Sequence, residues 1–179
     1  MIEQGNMPAE MLLTHVDLFK GAGAKFQPFL GPMSGAFELS YKGTKPNVWL
    51  DIDIWKQGKK VSSGGSIGDL FFHPDLQKNH KVEIIISIEA VFIDGQYEFN
   101  TIKVRAGNDS GSSLSTFTVP WDKSLTSRGL IFPSDPLTFK ADDSIPVSTS
   151  TNMISTADLS PDSLKGLESA IIFTLRFED

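Results

Sequence analysis

Apolar and polar residues alternate with a period of two along most of the chain from about Ala36 onward, and Gly, Pro, Asn and Asp interrupt the alternation. This pattern is typical of short strands that each bury one face. About eight to ten such strands fit a two-sheet antiparallel β-sandwich, immunoglobulin-like or jelly-roll, in a single domain spanning residues 1–179. The predicted strands include Phe37–Tyr41, Val48–Trp55, Leu114–Val119, Gly129–Phe132, Leu137–Lys140 and Ala170–Phe177.

The turn-rich segment Lys42–Asn47 separates the first two of these strands and predicts either a hairpin or a corner of the sandwich. In the second strand, Val48, Leu50, Ile52 and Ile54 point to one side because side chains alternate across a strand. We expect this aliphatic side to face the core. In the last strand, the residues Ile171, Phe173, Leu175 and Phe177 form a similar apolar row.

Asp94-Gly95 is a strong hairpin signal, since a type I′ turn requires positive φ at both central residues. Counting outward pairs Phe92 with Tyr97, Ala90 with Phe99 and Ile88 with Thr101. This regular register would bury Lys103 and Arg105. We therefore predict a β-bulge near Asn100 or Thr101, which would place both cations on an outer face with Glu83 and Glu89.

Other segments are less regular. Residues 1–35 are predicted to be partly irregular, and within them Pro8–Lys20 fits either a helix or a strand. The helix would place Met11, Leu12, Val16 and Phe19 on one face, and the strand would place Leu12, Thr14, Val16 and Leu18 on one face. Two loops are expected, at Gly107–Ser113 and Asp142–Asp158, with an edge strand inside the second at about Val147–Met153. Ser160-Pro161 predicts a short helix before the last strand, because Ser caps helices and Pro suits their first position.

Composition excludes several classes of protein. The chain of 179 residues has no cysteine and a formal net charge of −6. The lack of cysteine rules out disulfides, thiolate zinc sites, iron–sulfur ligation and cysteine nucleophiles within this sequence. The negative charge argues against binding to nucleic acid. No apolar run approaches the roughly 20 residues of a membrane-spanning helix, so we expect no transmembrane segment.

The candidate binding residues are Trp49, Asp51, Asp53 and Trp55, which share the strand face opposite the aliphatic one. Indole rings stack on sugars or anchor protein partners, and carboxylates accept hydrogen bonds from hydroxyl groups. The row could therefore line a groove for an oligosaccharide or a peptide. The competing interpretation is that a loop or the N-terminal segment covers one indole and that the aspartates are ordinary solvated positions.

Catalytic and metal sites are not expected. Asp51 and Asp53 have the i, i+2 spacing of a glycosidase pair, but any strand with alternating acids has it. His15, His73 and His80 lack metal-binding spacing. Gly64–Gly68 has the form G-x-S-x-G without the strand and helix that a nucleophile elbow needs. Asn108-Asp109-Ser110 matches a glycosylation acceptor and could bind calcium only weakly. We expect no cofactor and no metal.

The stretches Gly35–Gly43 and Val48–Lys60 are similar to strand pairs in uncharacterised surface lipoproteins of Gram-positive bacteria, over about one seventh of the chain. The resemblance implies an extracytoplasmic protein, secreted or anchored at the cell surface, whose signal segment and lipidated cysteine lie outside this sequence. The expected function is non-catalytic binding of a cell-wall polysaccharide or another surface protein. The alternatives are a glycan-active enzyme on a jelly-roll scaffold and a structural assembly module.

Overall fold

The computed structural model describes residues 10–31, 33–42, 47–71, 80–109, 111–120, 129–131, 136–140, 145–151 and 169–178. These residues form two antiparallel sheets, and the fold is the predicted all-β sandwich. The strands are β1 (Glu10–Val16), β2 (Ser34–Lys42), β3 (Asn47–Lys56), β4 (Lys59–Ile67), β5 (His80–Ile93), β6 (Gln96–Asn108), β7 (Gly111–Pro120), β8 (Gly129–Ile131), β9 (Leu137–Lys140), β10 (Ile145–Thr151) and β11 (Ser169–Glu178). The 3₁₀ helix Gly21–Phe26 and the short helix α1 (Gln27–Leu30) connect β1 to β2.

The six-stranded sheet has the order β7-β6-β5-β2-β1-β9, and the five-stranded sheet has the order β4-β3-β11-β10-β8. The core lies between them. It contains the inward residues of β3, Val48, Leu50 and Ile52, as the aliphatic alternation predicts. From the other sheet, residues such as Phe37, Ile84 and Ile102 pack against the same cluster, and all three are fully buried. None of the helices among the described residues is long and apolar enough to cross a membrane.

The connection between β2 and β3 is a sandwich corner, because β2 lies in the six-stranded sheet and β3 in the five-stranded one. The hairpin alternative is therefore wrong. In the N-terminal segment, β1 pairs with β2 from Glu10 to Val16, so the strand interpretation is confirmed and the helix interpretation is wrong. The predicted face of this strand is wrong, however. Met11 and Leu13 are buried and Leu12 is 40% exposed, so the core lies on the side opposite to Leu12, Thr14 and Val16.

The hairpin of β5 and β6 turns at Asp94-Gly95, with φ of +50° and +80°, as predicted. Its bulge lies nearer the turn than expected. Phe92 pairs with Tyr97, but Val91 pairs with Phe99, so Glu98 is the extra residue. Pairing is then regular through Arg105, and the predicted pairs Ala90–Phe99 and Ile88–Thr101 are wrong. The consequence holds, since Arg105 lies on the outer face with its guanidinium 3.7 Å from the Glu83 carboxylate.

Two further predictions fall on described residues, and a third does not. The expected loop at Gly107–Ser113 is mostly strand, because β6 extends to Asn108 and β7 begins at Gly111. The expected strand near Val147–Met153 is confirmed as β10, but it lies between β11 and β8 rather than at an edge. Strand β4 has no counterpart among the predicted strands. The predicted helix at Ser160-Pro161 lies outside the described residues.

Candidate functional site

The four sequence-predicted binding residues share the outer face of β3, as their alternation requires. We call Trp49, Asp51, Asp53 and Trp55 the Trp–Asp face. Antiparallel pairing places β11 beside them, with Arg176 opposite Trp49, Ile172 opposite Asp53 and Ala170 opposite Trp55. The structure therefore brings the four residues into one row but surrounds them with side chains of the neighbouring strand.

The two aspartates of this face are engaged by cations. Arg176 donates hydrogen bonds from Nε to Asp51 Oδ2 at 2.8 Å and from Nη2 to Asp51 Oδ1 at 3.3 Å, and Ser66 donates to Oδ1 at 2.7 Å. Lys60 Nζ lies 3.0 Å from Asp53 Oδ1 and forms an ion pair with it, although among the described residues this buried oxygen accepts no hydrogen bond of good geometry. Both carboxylates thus have a protein cation as partner, which leaves less of their hydrogen-bonding capacity for a ligand.

The environment of Asp51 affects its ionisation. Burial by itself raises the pKa of the Asp51 carboxyl, but the hydrogen bonds from Arg176 and Ser66 lower it, and so do the positive charges of Arg176 and Lys60. The net result is a pKa below the ordinary value. Asp51 is therefore held as the carboxylate, the opposite of what a general acid requires.

The two indoles of the Trp–Asp face are half-buried. Gly68 lies beneath the Trp49 ring, where a Cβ would come within 2.8 Å of Cζ2, and the Arg176 guanidinium carbon is 5.3 Å from the ring centroid. Trp55 packs against Ala170 and Ile172. Both indole N–H groups are buried and, as far as the described residues show, lack an acceptor. These rings are packed against the protein rather than standing free in solvent.

A second candidate site, which the sequence pattern did not predict, lies on the outer face of the six-stranded sheet. It is a groove of about 600 Å³, which we call the sheet groove. The residues that line it come from α1 and the turn after it, from β5 and β6, and from β7. They are Pro28, Phe29, Leu30, Gly31, Ile85, Ser87, Ile88, Glu89, Ala90, Tyr97, Thr101, Lys103, Arg105 and Leu114.

Local sequence positions the wall of the sheet groove. Pro28 stands in the first turn of α1, where its missing N–H costs nothing, and Gly31 ends the helix with a φ of +73°. Ser34 Oγ then donates to the carbonyl of Leu30 at 2.6 Å and also lies 3.0 Å from Ser87 Oγ on β5. These contacts fix the end of α1 against the sheet and hold Phe29 beside the groove.

The sheet groove is lined by exposed apolar side chains together with hydroxyl and charged groups. Phe29 is 86% exposed, Leu114 67% and Tyr97 48%. The outward positions of β5 and β6 supply hydroxyl and charged groups, including Ser87, Glu89 and Lys103. Tyr97 also stacks edge-on with Phe92, their ring centroids 5.0 Å apart, which steadies the ring at the hairpin end.

Nothing in the alternation of β5 and β6 predicts the sheet groove, because outward polar residues are normal on a half-exposed sheet. The signal that could have found it is Phe26-Gln27-Pro28-Phe29-Leu30, three large apolar residues beside a proline in a segment without strand periodicity. Within the described part of the chain, no three His, Cys, Asp or Glu residues are placed to hold a metal ion together.

Comparison of the chain with protein-family models, with curated proteins and with solved structures finds no match in any of the three.

Proposed function

We propose that the protein is a non-catalytic binding domain whose ligand is a glycan chain of the cell envelope, held in the sheet groove. The observation that carries this proposal is the groove itself. Its volume of about 600 Å³ falls within the roughly 300–1,000 Å³ of small-molecule sites. Exposed aromatic rings beside hydroxyl and charged side chains suit a sugar, which has an apolar face for stacking and hydroxyl groups for hydrogen bonds.

The sheet groove suits a ligand better than the Trp–Asp face for a reason of availability. Phe29 is 86% exposed, whereas both indole N–H groups of the Trp–Asp face are buried. An exposed ring can stack on a ligand without moving, while a packed ring must first leave its contacts. A binding experiment should therefore compare the sheet groove with the residues predicted from the sequence, Trp49, Asp51, Asp53 and Trp55.

A protein partner is the second candidate, because the exposed apolar residues include aliphatic ones. Leu114 and Leu30 line the sheet groove and are 67% and 38% exposed, and Ile93, at the hairpin end of β5, is 46% exposed. Aliphatic side chains contribute little to sugar stacking but bury well against another protein. An extracytoplasmic location is part of either proposal, and cell fractionation tests it directly.

The test is binding of the purified protein to a panel of cell-wall preparations and soluble glycans by titration calorimetry. Phe29→Ala and Tyr97→Ala change the sheet groove, Trp55→Ala changes the Trp–Asp face, and Val61→Ala, at a 54% exposed site on β4, is the matched control. We expect the two groove variants to lose binding while Trp55→Ala and Val61→Ala retain it.

Two results would overturn the proposal. If the wild-type protein binds no glycan, the glycan proposal is wrong and a protein partner remains as the candidate ligand. Loss of binding in Trp55→Ala alone, with the fold retained by circular dichroism, would move the ligand to the Trp–Asp face.

A further inference from the structure

The edges of the two sheets are protected unequally. In the described part of the chain, the six-stranded sheet ends at β7 and β9, and the five-stranded sheet ends at β4 and β8. An edge strand presents unpaired N–H and C=O groups that can pair with any other strand. Proteins protect such edges by keeping them short or by placing lysine, proline or a bulge on them.

Three of these edges carry such protection. Strand β8 has three residues and β9 has four. Strand β4 is longer, but it begins with Lys59-Lys60, and its register with β3 shifts at two places. Lysine charges and irregular pairing both discourage the approach of another strand.

Strand β7 has none of these protections, because it is long, uncharged and regularly paired. It runs for ten residues, GSSLSTFTVP, without a charged side chain, and its only proline is the last residue. Its pairing with β6 is regular from Asn108–Gly111 to Phe99–Pro120. Because backbone groups point alternately to the two sides of a strand, about half of those in β7 point away from β6.

The packing of β7 holds this edge in place. Its inward residues Phe117 and Val119 lie against Gly65 and Gly64 of β4, so close that a Cβ on either glycine would overlap or crowd them. The alternate residues Ser112, Leu114, Thr116 and Thr118 are exposed on the outer face. The strand is therefore held in place by the core, and its outward side chains are exposed.

We propose that β7 pairs antiparallel with β7 of a second copy of this chain, which joins the two six-stranded sheets into one continuous sheet. A second copy fits because a strand without charges brings no like charges together when it pairs with itself. Pairing of identical edges about a two-fold axis closes at two copies.

This proposal does not depend on the ligand of the sheet groove. Sedimentation velocity over a wide range of protein concentration tests it, with circular dichroism to confirm folding. Thr116→Lys places a charge in the middle of the β7 edge. Thr138→Lys makes the same change at an exposed site on β9, the opposite edge of the same sheet. We expect wild type and Thr138→Lys to form the dimer and Thr116→Lys to remain a monomer.

Thr118→Lys, at another exposed position of β7, provides a second variant if Thr116→Lys does not fold, with the same expected loss of the dimer. In wild type, amide hydrogen exchange of β7 should also slow as the protein concentration rises. A wild type that stays monomeric at every concentration, a dimer that survives the β7 charges, or growth beyond two copies would each overturn the proposal.

Discussion

Arg176 and Asp51 lie 125 residues apart in sequence and form a two-pronged contact between the neighbouring strands β11 and β3, with Nε 2.8 Å from Oδ2. The guanidinium also lies 5.3 Å from the Trp49 ring. One arginine thus joins a carboxylate and an indole that were both predicted to bind ligand. The planar group suits this double role, since it can pair edge-on with a carboxylate and place its face on an aromatic ring.

The lowered pKa of Asp51 makes part of the stability depend on pH. A carboxyl whose pKa is lower in the folded state stabilises the fold above its unfolded pKa, about 3.9, and loses this contribution as the pH falls through the folded pKa. Asp51→Asn removes the effect. We expect wild type to be more stable than Asp51→Asn at pH 7, by no more than about 1 kcal/mol because Arg176 is partly exposed, and the gap to shrink below about pH 4.

Urea unfolding of both proteins at pH 7 and at pH 3 measures this gap. Ser66→Ala, which removes one of the hydrogen bonds that lower the pKa of Asp51, should show a smaller change in the same direction. An equal gap at both pH values would contradict the role of this ion pair.

The strands that the sequence predicts correctly are those whose pattern reflects burial on one face. In β3, the alternation of Val48, Leu50 and Ile52 with polar residues is a direct record of the core on one side. The turn at Asp94-Gly95 was equally predictable because the positive φ of both residues is a local requirement. Local chemistry is sufficient in both cases.

The features that escaped prediction depend on neighbours distant in sequence. Strand β4 has the sequence KKVSSGGSI, which lacks apolar alternation because it lies at a sheet edge and is largely exposed. The sheet groove arises only when α1 packs beside strands that begin more than 50 residues later. Neither is encoded in a window of a few residues.

Gly65 and Phe117 meet where the edges of the two sheets approach each other, and this contact leads to a second prediction. Gly65 has a φ of +141°, and a Cβ there would overlap the Phe117 ring. Gly65→Ala therefore combines backbone strain with overpacking, and we expect the free energy of unfolding to fall by roughly 1–3 kcal/mol. Urea unfolding measures the change.

Gly111→Ala is the matched control for Gly65→Ala, because a Cβ at Gly111 meets nothing within 4 Å. It should change stability much less. In the double variant Gly65→Ala/Phe117→Leu, the smaller side chain should relieve part of the overlap, so the two costs should not add. If the changes in unfolding free energy of the two substitutions simply add, the Phe117 ring is not what opposes a Cβ at position 65.

The burial of Ile172 indicates that the outer face of β11 is packed. Ile172 lies opposite Asp53 on the Trp–Asp side of the sheet, yet it is only 1% exposed, and Trp55 packs against it. Ala170-Ile171-Ile172-Phe173 is apolar at every position, a pattern typical of a strand buried on both faces. We therefore expect Ile172→Ala to lower the free energy of unfolding by about 2–4 kcal/mol, as truncation of a core residue does.

Val61→Ala is the control for Ile172→Ala, because Val61 is 54% exposed on β4 and its truncation should stay within about 0.5 kcal/mol. Urea unfolding compares the two variants. A large cost at Ile172 means that the indole of Trp55 is part of a second apolar cluster and that a ligand would have to displace packed side chains to reach it. A cost as small as that of Val61→Ala would mean the reverse, and the Trp–Asp face would then compete with the sheet groove as the binding surface.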